Sequence, residues 1–490
     1  MQASESISVS QRFGQVRRPT ATGVLHFGLG AFHRAHQAHF FDRLIAQGQT
    51  DWGIAAVNLR SAAIVEDLSA QDNLYFRWER GLKTESIRAI GAHTHCHHLP
   101  TEREAVLDHF RSAALQMITI TVSEKGYHFD PRPGGLDTAQ ADVQVDLSNP
   151  SLPATLPAVL AQGLEERRKV GAGPITLVSC DNYRNNGQVL KSVVTDFARA
   201  CYPDLSDWLA ANASFPSSMV DAIVPKVRAE DRDALQKKIG VADPAMVIVE
   251  DYMRWVIEDD FVSNRPPLNT VGVELVPDAA PYEVMKLMLL NAPHSAVAYL
   301  GCLAGFDFIH QAIACNTLRA SVDRMLRREL LPVARGIAGA AAADYGGMTL
   351  NRFANPNIEY RTLQVATDGS LKIQQRLLPA LSWHLKQGSI PEGLTLTLAA
   401  WMRYLMGVTD AGTSYQISDP MAEELTDRIA DTRTGEEVAH RILSIGEIFP
   451  SDIQEHEDLA AQIAWHLDGI SSNGTLKWLE HLSNSNEGIT

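Results

Sequence analysis

The sequence predicts an α/β protein in two parts: a mostly parallel sheet with helices on its faces over residues 1–281, then a mainly α-helical domain over 282–490. Three observations lead there. A chain of 490 residues is longer than one hydrophobic core ordinarily serves, so two domains are expected. Up to Val276, short β-branched runs alternate with helical segments, the pattern of a parallel sheet. Beyond Pro281 helical periodicity takes over and convincing strands become few.

The elements follow in order. Val24–Phe27 reads as a strand, Gly28 and Gly30 as a tight turn, and Phe32–Leu44 as a helix. Trp52–Val57, Met117–Val122 and Ile175–Val178 supply three more strands, each bounded by turn or polar residues. Helical patterns then cover Tyr282–Leu303, Gln311–Leu331, Leu377–Gln387, Leu394–Met406 and Met421–Ala430. The Ala-rich stretch Ala334–Ala343 is most simply one more helix. Pro293 removes one helical N–H and should kink its helix. Arg352–Arg376, rich in turn residues, is expected to return to a cleft between the domains.

Composition narrows the function. With 45% hydrophobic and 21% charged residues the chain is neither disordered nor fibrous. A net charge of -15 argues against a polyanion binder, because phosphate backbones are held by clustered Lys and Arg. The acidity is concentrated: Met421–Ala460 carries 11 Asp/Glu against 3 Arg, read as a solvated face. Five scattered cysteines without a CxxC indicate neither a disulfide framework nor a cysteine zinc site. The polar N-terminus lacks the apolar run of a signal peptide, and the longest uncharged apolar stretch, Ala296–Phe306, is about half a membrane span. A cytoplasmic monomer or small homo-oligomer is expected, with no nucleic-acid or membrane partner.

Several residues could carry chemistry. The Gly28-x-Gly30 turn, between a strand and a helix, suits a pyrophosphate, although His33 stands at the third glycine position of the dinucleotide fingerprint. Ala31 and Phe32 complete this cofactor-binding turn. The second strand ends in Asn58 rather than an acid; Asn58 could bond a ribose hydroxyl and Arg60 could tolerate a 2′-phosphate, so NAD and NADP both stand. Ser123, Glu124 and Lys125 follow the third strand, and Ser179-Cys180-Asp181-Asn182 follows the fourth, where open parallel sheets bind ligands. On a helix Lys286, Leu290 and His294 share a face, with Glu283 adjoining Lys286. A desolvated Lys286 could serve as a general base, with Asn291 and His294 holding an alkoxide or carbonyl oxygen. The same spacing also suits an amphipathic helix with a solvated lysine and a core histidine. The run His93-Thr94-His95-Cys96-His97-His98 shows no ligand-partner pattern, and no metal is expected there. His33, His36 and His39 form a stripe that packs or contacts cofactor.

Taken in order, Gly28-Leu-Gly-Ala-Phe-His-Arg-Ala-His, Thr121-Val-Ser-Glu-Lys-Gly-Tyr, Ser179-Cys-Asp-Asn, Met219-Val-Asp-Ala-Ile-Val-Pro, Trp255-Val-Ile-Glu-Asp and Lys286-x4-Asn-x2-His resemble the mannitol dehydrogenase family of long-chain, metal-independent polyol dehydrogenases and sugar-acid reductases. The resemblance runs from Gly23 to past Met421. It implies a Rossmann-type domain, a helical C-terminal domain and a nicotinamide cofactor in the cleft between them. It further implies that Lys286 is the general base and that Asn182 and Asn291 form the oxyanion pocket. His294 would orient substrate hydroxyls, Glu283 would be coupled to proton release, and Asp221 and Lys372 would line the substrate pocket. Two positions depart from the pattern: Ala222 stands where the family usually has Arg, and Gln364 where mannitol dehydrogenases carry an arginine eight residues before Lys372.

The second departure bears on substrate. Arg361-Thr-Leu-Gln-Val-Ala-Thr-Asp-Gly-Ser, Gln375-Arg376-Leu-Leu and Trp401-Met-Arg-Tyr look more like the fructuronate reductase branch, which interconverts D-fructuronate and D-mannonate. A sugar acid needs a cation for its carboxylate, and Arg361, Arg376 and Arg403 are candidates. These arginines could equally make structural ion pairs. The expected partner is therefore a small sugar acid, with the polyols mannitol, arabinitol or sorbitol as the alternative.

Overall fold

A computed structural model describes residues 13–487, and the chain divides into two compact units between Glu283 and Val284. The first unit contains fourteen strands among the described residues. They are β1 (Thr22–Phe27), β2 (Gly53–Asn58), β3 (Tyr75–Arg80), β4 (Glu85–Ile90), β5 (His93–His98), β6 (Met117–Ile120) and β7 (Phe129–Asp130). The rest are β8 (Gly135–Leu136), β9 (Ile175–Ser179), β10 (Ala213–Ser214), β11 (Ser218–Asp221), β12 (Val247–Val249), β13 (Arg254–Glu258) and β14 (Glu274–Val276).

Six of these build one sheet in the order β10-β9-β6-β1-β2-β5, with every neighbouring pair parallel. Counted along the chain within this sheet, the order from the β5 edge is 3-2-1-4-5-6, the doubly wound arrangement that binds dinucleotides where the order reverses. Alternation of side chains divides the core. Leu25, Phe27, Ala55, Val57, Ile118 and Leu177 join a cluster with the helices Leu99–Arg111, Leu156–Val170 and Asn186–Cys201. Val24, Ile54, Ala56, Met117 and Val178 face the helix Gln37–Ala46 and Trp255.

The four expected strands all form. The sequence reading missed the smaller sheets β12-β3-β4 and β11-β13-β14, whose strands are polar at several positions and partly antiparallel. The helix expected over Phe32–Leu44 is instead two, Ala31–Ala35 and Gln37–Ala46, interrupted at His36 (φ −111°, ψ −84°). His36 departs from helical geometry with its Nε2 within 2.9 Å of the Arg254 carbonyl and its ring beside Trp255.

Gly28 fixes how β1 leaves the sheet. Its φ is +104°, and a Cβ there would sit 1.9 Å from the Thr121 carbonyl oxygen. Beneath the turn lies a buried histidine stack. His26 lies 3.4 Å from His33 centroid to centroid, and the Nε2 atoms of His33 and His93 approach to 3.0 Å. Burial lowers His26 and His93 to about 3, so both stay neutral at physiological pH.

The second unit is helical, and among its described residues strand pairing is limited to isolated bridges. All twelve residues of the helix Ala292–Leu303 are buried; it packs on Glu392–Tyr404, which packs on Glu457–Asn473. Ala334–Ala343 is not one helix: Gly339 (φ +63°) ends Leu331–Ala338 before Ala341–Phe353 begins. The segment Gln311–Leu331 is likewise broken at Cys315 and widened into a π-turn at Leu326–Leu330. All eleven acidic side chains of Met421–Ala460 are exposed, as a solvated face requires. No described helix is long and apolar enough to cross a membrane.

Gly28→Ala should lower unfolding free energy by about 2 kcal/mol or more, since both the positive φ and the Thr121 carbonyl oppose a side chain. Gly30→Ala meets nothing closer than 3.9 Å at negative φ and should leave the thermal melt unchanged. Equal losses in the two variants would contradict this account.

Candidate active site

The turn after β1 is built for close approach. Gly28 N–H donates to Val57 O at 2.9 Å and Gly30 N–H to Gly28 O at 2.7 Å, which curls the backbone before Ala31. Open space stands over Gly30, and the ring of Phe32 is turned onto His36 at 5.0 Å. Together with the strand order, that cradle fits a dinucleotide pyrophosphate. At the end of β2, Asn58 Nδ2 donates to Ser61 O at 2.6 Å and holds the following loop closed. One of the two amide hydrogens is thereby committed, and Asn58 can meet a ribose hydroxyl through Oδ1 as an acceptor or through its second N–H.

Asp181 ties together two segments that the sequence marked separately. Its carboxylate accepts from Val122 N and Ser123 N, each at 3.0 Å, and from the Tyr127 hydroxyl at 2.8 Å. Desolvation raises its pKa to about 6 against the lowering effect of those bonds. Ser123 takes a left-handed φ of +75°, and Glu124 and Lys125 begin the 3₁₀ turn to Tyr127. Asn182 follows on an exposed bend, and Asp221 lies fully buried at the end of β11 opposite Arg254. Asn185 N–H donates to the buried Glu283 carboxylate at 2.8 Å. Burial lifts Glu283 to about 7; the backbone N–H groups of Asn185 and Asn186 work against it, and Glu258 works with it.

Lys286, Asn291 and His294 are all at least nine-tenths buried in the second unit. The expected i, i+4 face through Leu290 is not what forms. Between the α-helical segments Ala280–Lys286 and Ala292–Leu303 the chain makes a π-turn over Leu287–Asn291. Its i→i+5 bonding brings Asn291, five residues on, to the side of Lys286, and His294 follows Asn291 by three. Pro293 is the cause: it cannot donate to Leu289 O, and its ring crowds that carbonyl in a regular helix. The Thr349 hydroxyl supplies the missing donor at 2.7 Å. Sequence reasoning flagged Pro293 but had no signal for Thr349, sixty residues away. The His294 ring stacks on Phe353 at 4.6 Å and meets Tyr360 edge-on at 5.3 Å. The Asn291 Nδ2 is buried with no hydrogen-bond partner among the described residues, a costly state that a ligand oxygen would relieve.

The carboxylate candidates separate. Arg361 is exposed and lies over the Phe308 ring at 5.2 Å, and Arg403 donates to Val408 O at 3.2 Å. Their sequence neighbourhood carried no information on where the guanidinium would point. Arg376 reaches the segment that carries Asn291, donating to Ser295 Oγ at 3.0 Å and Asn291 O at 3.4 Å. Lys372 Nζ donates to Val365 O at 3.1 Å and to Thr367 Oγ1 at 3.2 Å, which closes the half-buried segment holding Gln364. Away from these groups, His95 and His97 of β5 meet His109 of the helix Leu99–Arg111, a partner the sequence did not suggest.

Comparisons with known proteins agree with this fold. Residues 22–270 match the Mannitol dehydrogenase Rossmann domain and 278–471 the Mannitol dehydrogenase C-terminal domain. The chain is 35% identical to mannitol 2-dehydrogenase of Pyrenophora tritici-repentis, over 95% of this chain and 82% of the relative. It is also 35% identical to D-mannonate oxidoreductase of Escherichia coli, over 90% of this chain and 91% of the relative. Among solved structures, Pseudomonas fluorescens mannitol 2-dehydrogenase in ternary complex with NAD and D-mannitol superposes with a TM-score of 0.89 at 33% identity, covering 95% of each chain.

Thr349→Val should leave Leu289 O without its hydroxyl donor and destabilise the protein by about 1–3 kcal/mol in chemical denaturation, whereas Thr349→Ser should behave as wild type. A silent Thr349→Val would show that the π-turn does not need this bond.

Proposed function

This chain belongs to the mannitol dehydrogenase family, and from that premise we propose that it oxidises a secondary alcohol of an open-chain sugar acid, with D-mannonate/D-fructuronate as the substrate pair. Bound NAD would accept or return the hydride at nicotinamide C4. The observation that carries the reading is the unsatisfied Asn291 amide, one π-turn on from the buried Lys286, with Arg376 against the same segment.

Lys286 Nζ takes the hydroxyl proton as general base. The Asn291 amide donates to the oxygen as negative charge develops there, which favours the transition state over the neutral alcohol. His294, held between Phe353 and Tyr360, orients a neighbouring substrate hydroxyl. Asn182 is assigned a second amide role by its motif alone. Asp221 and Lys372 are carried as pocket residues on the same ground. Lysine and amides together supply the charge stabilisation that a Lewis-acid metal would otherwise provide, so this chemistry runs without a metal. Gly28, Gly30, Ala31, Phe32, Asn58, Ser123, Glu124 and Lys125 are the residues that would hold the cofactor. NAD is favoured over NADP by the NAD in the Pseudomonas fluorescens complex.

Glu283 precedes Lys286 by three residues on one helix and relays the released proton. With its pKa near 7, it accepts a proton when ionised and loses that capacity as pH falls through 7. Alcohol oxidation should therefore decline below about pH 7, and Glu283→Gln should remove that inflection from the kcat profile. Lys286→Ala should lower turnover by about 100- to 10,000-fold while NADH still binds, as followed by nicotinamide fluorescence. Turnover unharmed by the lysine substitution would end this mechanism.

A sugar acid, unlike a polyol, requires a cation. In a panel of mannonate, other aldonates, mannitol, arabinitol and sorbitol, each with NAD and with NADP, mannonate should give the highest kcat/KM. Arg376→Ala should lower kcat/KM for the aldonate by about 10- to 100-fold, the loss of a charge-assisted hydrogen bond, with a smaller effect on any polyol turned over. Activity confined to the neutral polyols would overturn the carboxylate assignment and leave a polyol dehydrogenase.

A further inference from the structure

We propose that His95, His97 and His109 bind one divalent transition-metal ion of the zinc class at the outer edge of the parallel sheet. One ligand nitrogen from each of the three lies within 4.8 Å of the others, and the cluster joins β5 to the helix Leu99–Arg111. The Nε2 atoms of His97 and His109 stand 3.0 Å apart. Four nitrogens placed around zinc at its usual bond length are about 3.4 Å apart, so this pair needs little movement to share an ion. His95 stacks nearly parallel to His97, 5.6 Å between centroids at 7°, and is exposed enough to swing inward.

A bulge in β5 separates this cluster from the buried histidine stack. Ile54 pairs with His93 but Ala55 with His95, so Thr94 is an extra residue. That bulge sends His93 to the His33 side of the sheet and leaves His95 and His97 on the side of the helix carrying His109. Cys96, between them, turns into the opposite core, which leaves an all-imidazole donor set. Imidazoles suit zinc, copper, nickel and cobalt and not calcium or magnesium. A second shell is also in place. Glu102 Oε1 lies 3.2 Å from His97 Nδ1, which orients the ring with Nε2 towards His109, and Glu102 Oε2 accepts from His98 N at 2.8 Å. Carboxylate–histidine–metal relays of this kind fix the tautomer and raise ligand basicity.

The site is separate from the alcohol chemistry. β5 lies four strands from β9, about 19 Å at ordinary strand spacing from the loop that holds Asn182. An ion there clips the edge strand to its helix, so its effect is on stability, by mass action on the folded state.

The test uses untagged, full-length protein stripped with a chelator and titrated with ZnCl₂ by calorimetry, then with Co²⁺ followed by visible absorption. Expected are one equivalent of zinc per chain, Co²⁺ bands of tetrahedral intensity, and a thermal midpoint that climbs with free zinc. Glu102→Gln should weaken binding by about 10- to 100-fold, and His95→Gln or His109→Gln by more. Turnover in chelator should match wild type in all three variants. Because His95 is exposed, His95→Gln reads the site even if His109→Gln folds poorly. No saturable stoichiometric binding, or binding that survives both histidine substitutions, would overturn the proposal.

Discussion

The missing N–H of Pro293 is the constraint on which the candidate chemistry depends. A proline one residue into the helix Ala292–Leu303 leaves the carbonyl of Leu289 without its usual donor, and the chain responds with a π-turn rather than a break. The extra residue in that turn changes which side chains coincide. A regular helix would set Leu290 beneath Lys286; the widened one sets Asn291 there. Because every residue of the following helix is buried, the arrangement cannot relax by rotating into solvent. Thr349 completes it from another helix, so the position of an amide in the site rests on a hydroxyl distant in sequence.

The first unit solves a different problem, that of holding a turn open for an anion: the buried Arg34 guanidinium donates to Leu29 O at 2.7 Å, and histidine rings supply further support. His26, His33 and His93 fill the space beneath Gly28 and Gly30, and burial keeps them neutral. Neutral rings give hydrogen bonds and packing while the cradle's affinity for negative charge comes from backbone N–H groups. Asp181 plays the complementary part at the ends of β6 and β9. It spends its acceptor capacity on the Val122, Ser123 and Tyr127 donors, so two loops move as one piece.

Much of this was legible in the sequence. The four strands built from β-branched runs, the glycine turn and the lysine helix follow from period and local chemistry. What was not legible depends on distant partners. The π-turn needs Thr349; the break at His36 accompanies a bond to the Arg254 carbonyl; Arg361 and Arg403 are occupied by Phe308 and the Val408 carbonyl. The strands of the smaller sheets mix charged residues into their runs, as in Tyr75–Arg80 and Glu85–Ile90, so no apolar run marks them. Gly339 could have been read as a helix end, but Ala on both sides masked it. The histidine run shows no partner pattern of its own, because the third imidazole, His109, lies on the following helix.

The bulge at Thr94 makes strand register, rather than composition, the variable that decides the character of the sheet edge. Were Thr94 paired in regular alternation and the pairing of His95 kept, His93 would share the face of His95: it would be withdrawn from the buried stack and presented to the helix surface. One inserted residue thus serves two environments at once, a dry histidine stack on one face and an imidazole cluster on the other. Regular pairing of Thr94 would therefore cost the stack its His93 while leaving His95 and His97 on their shared face.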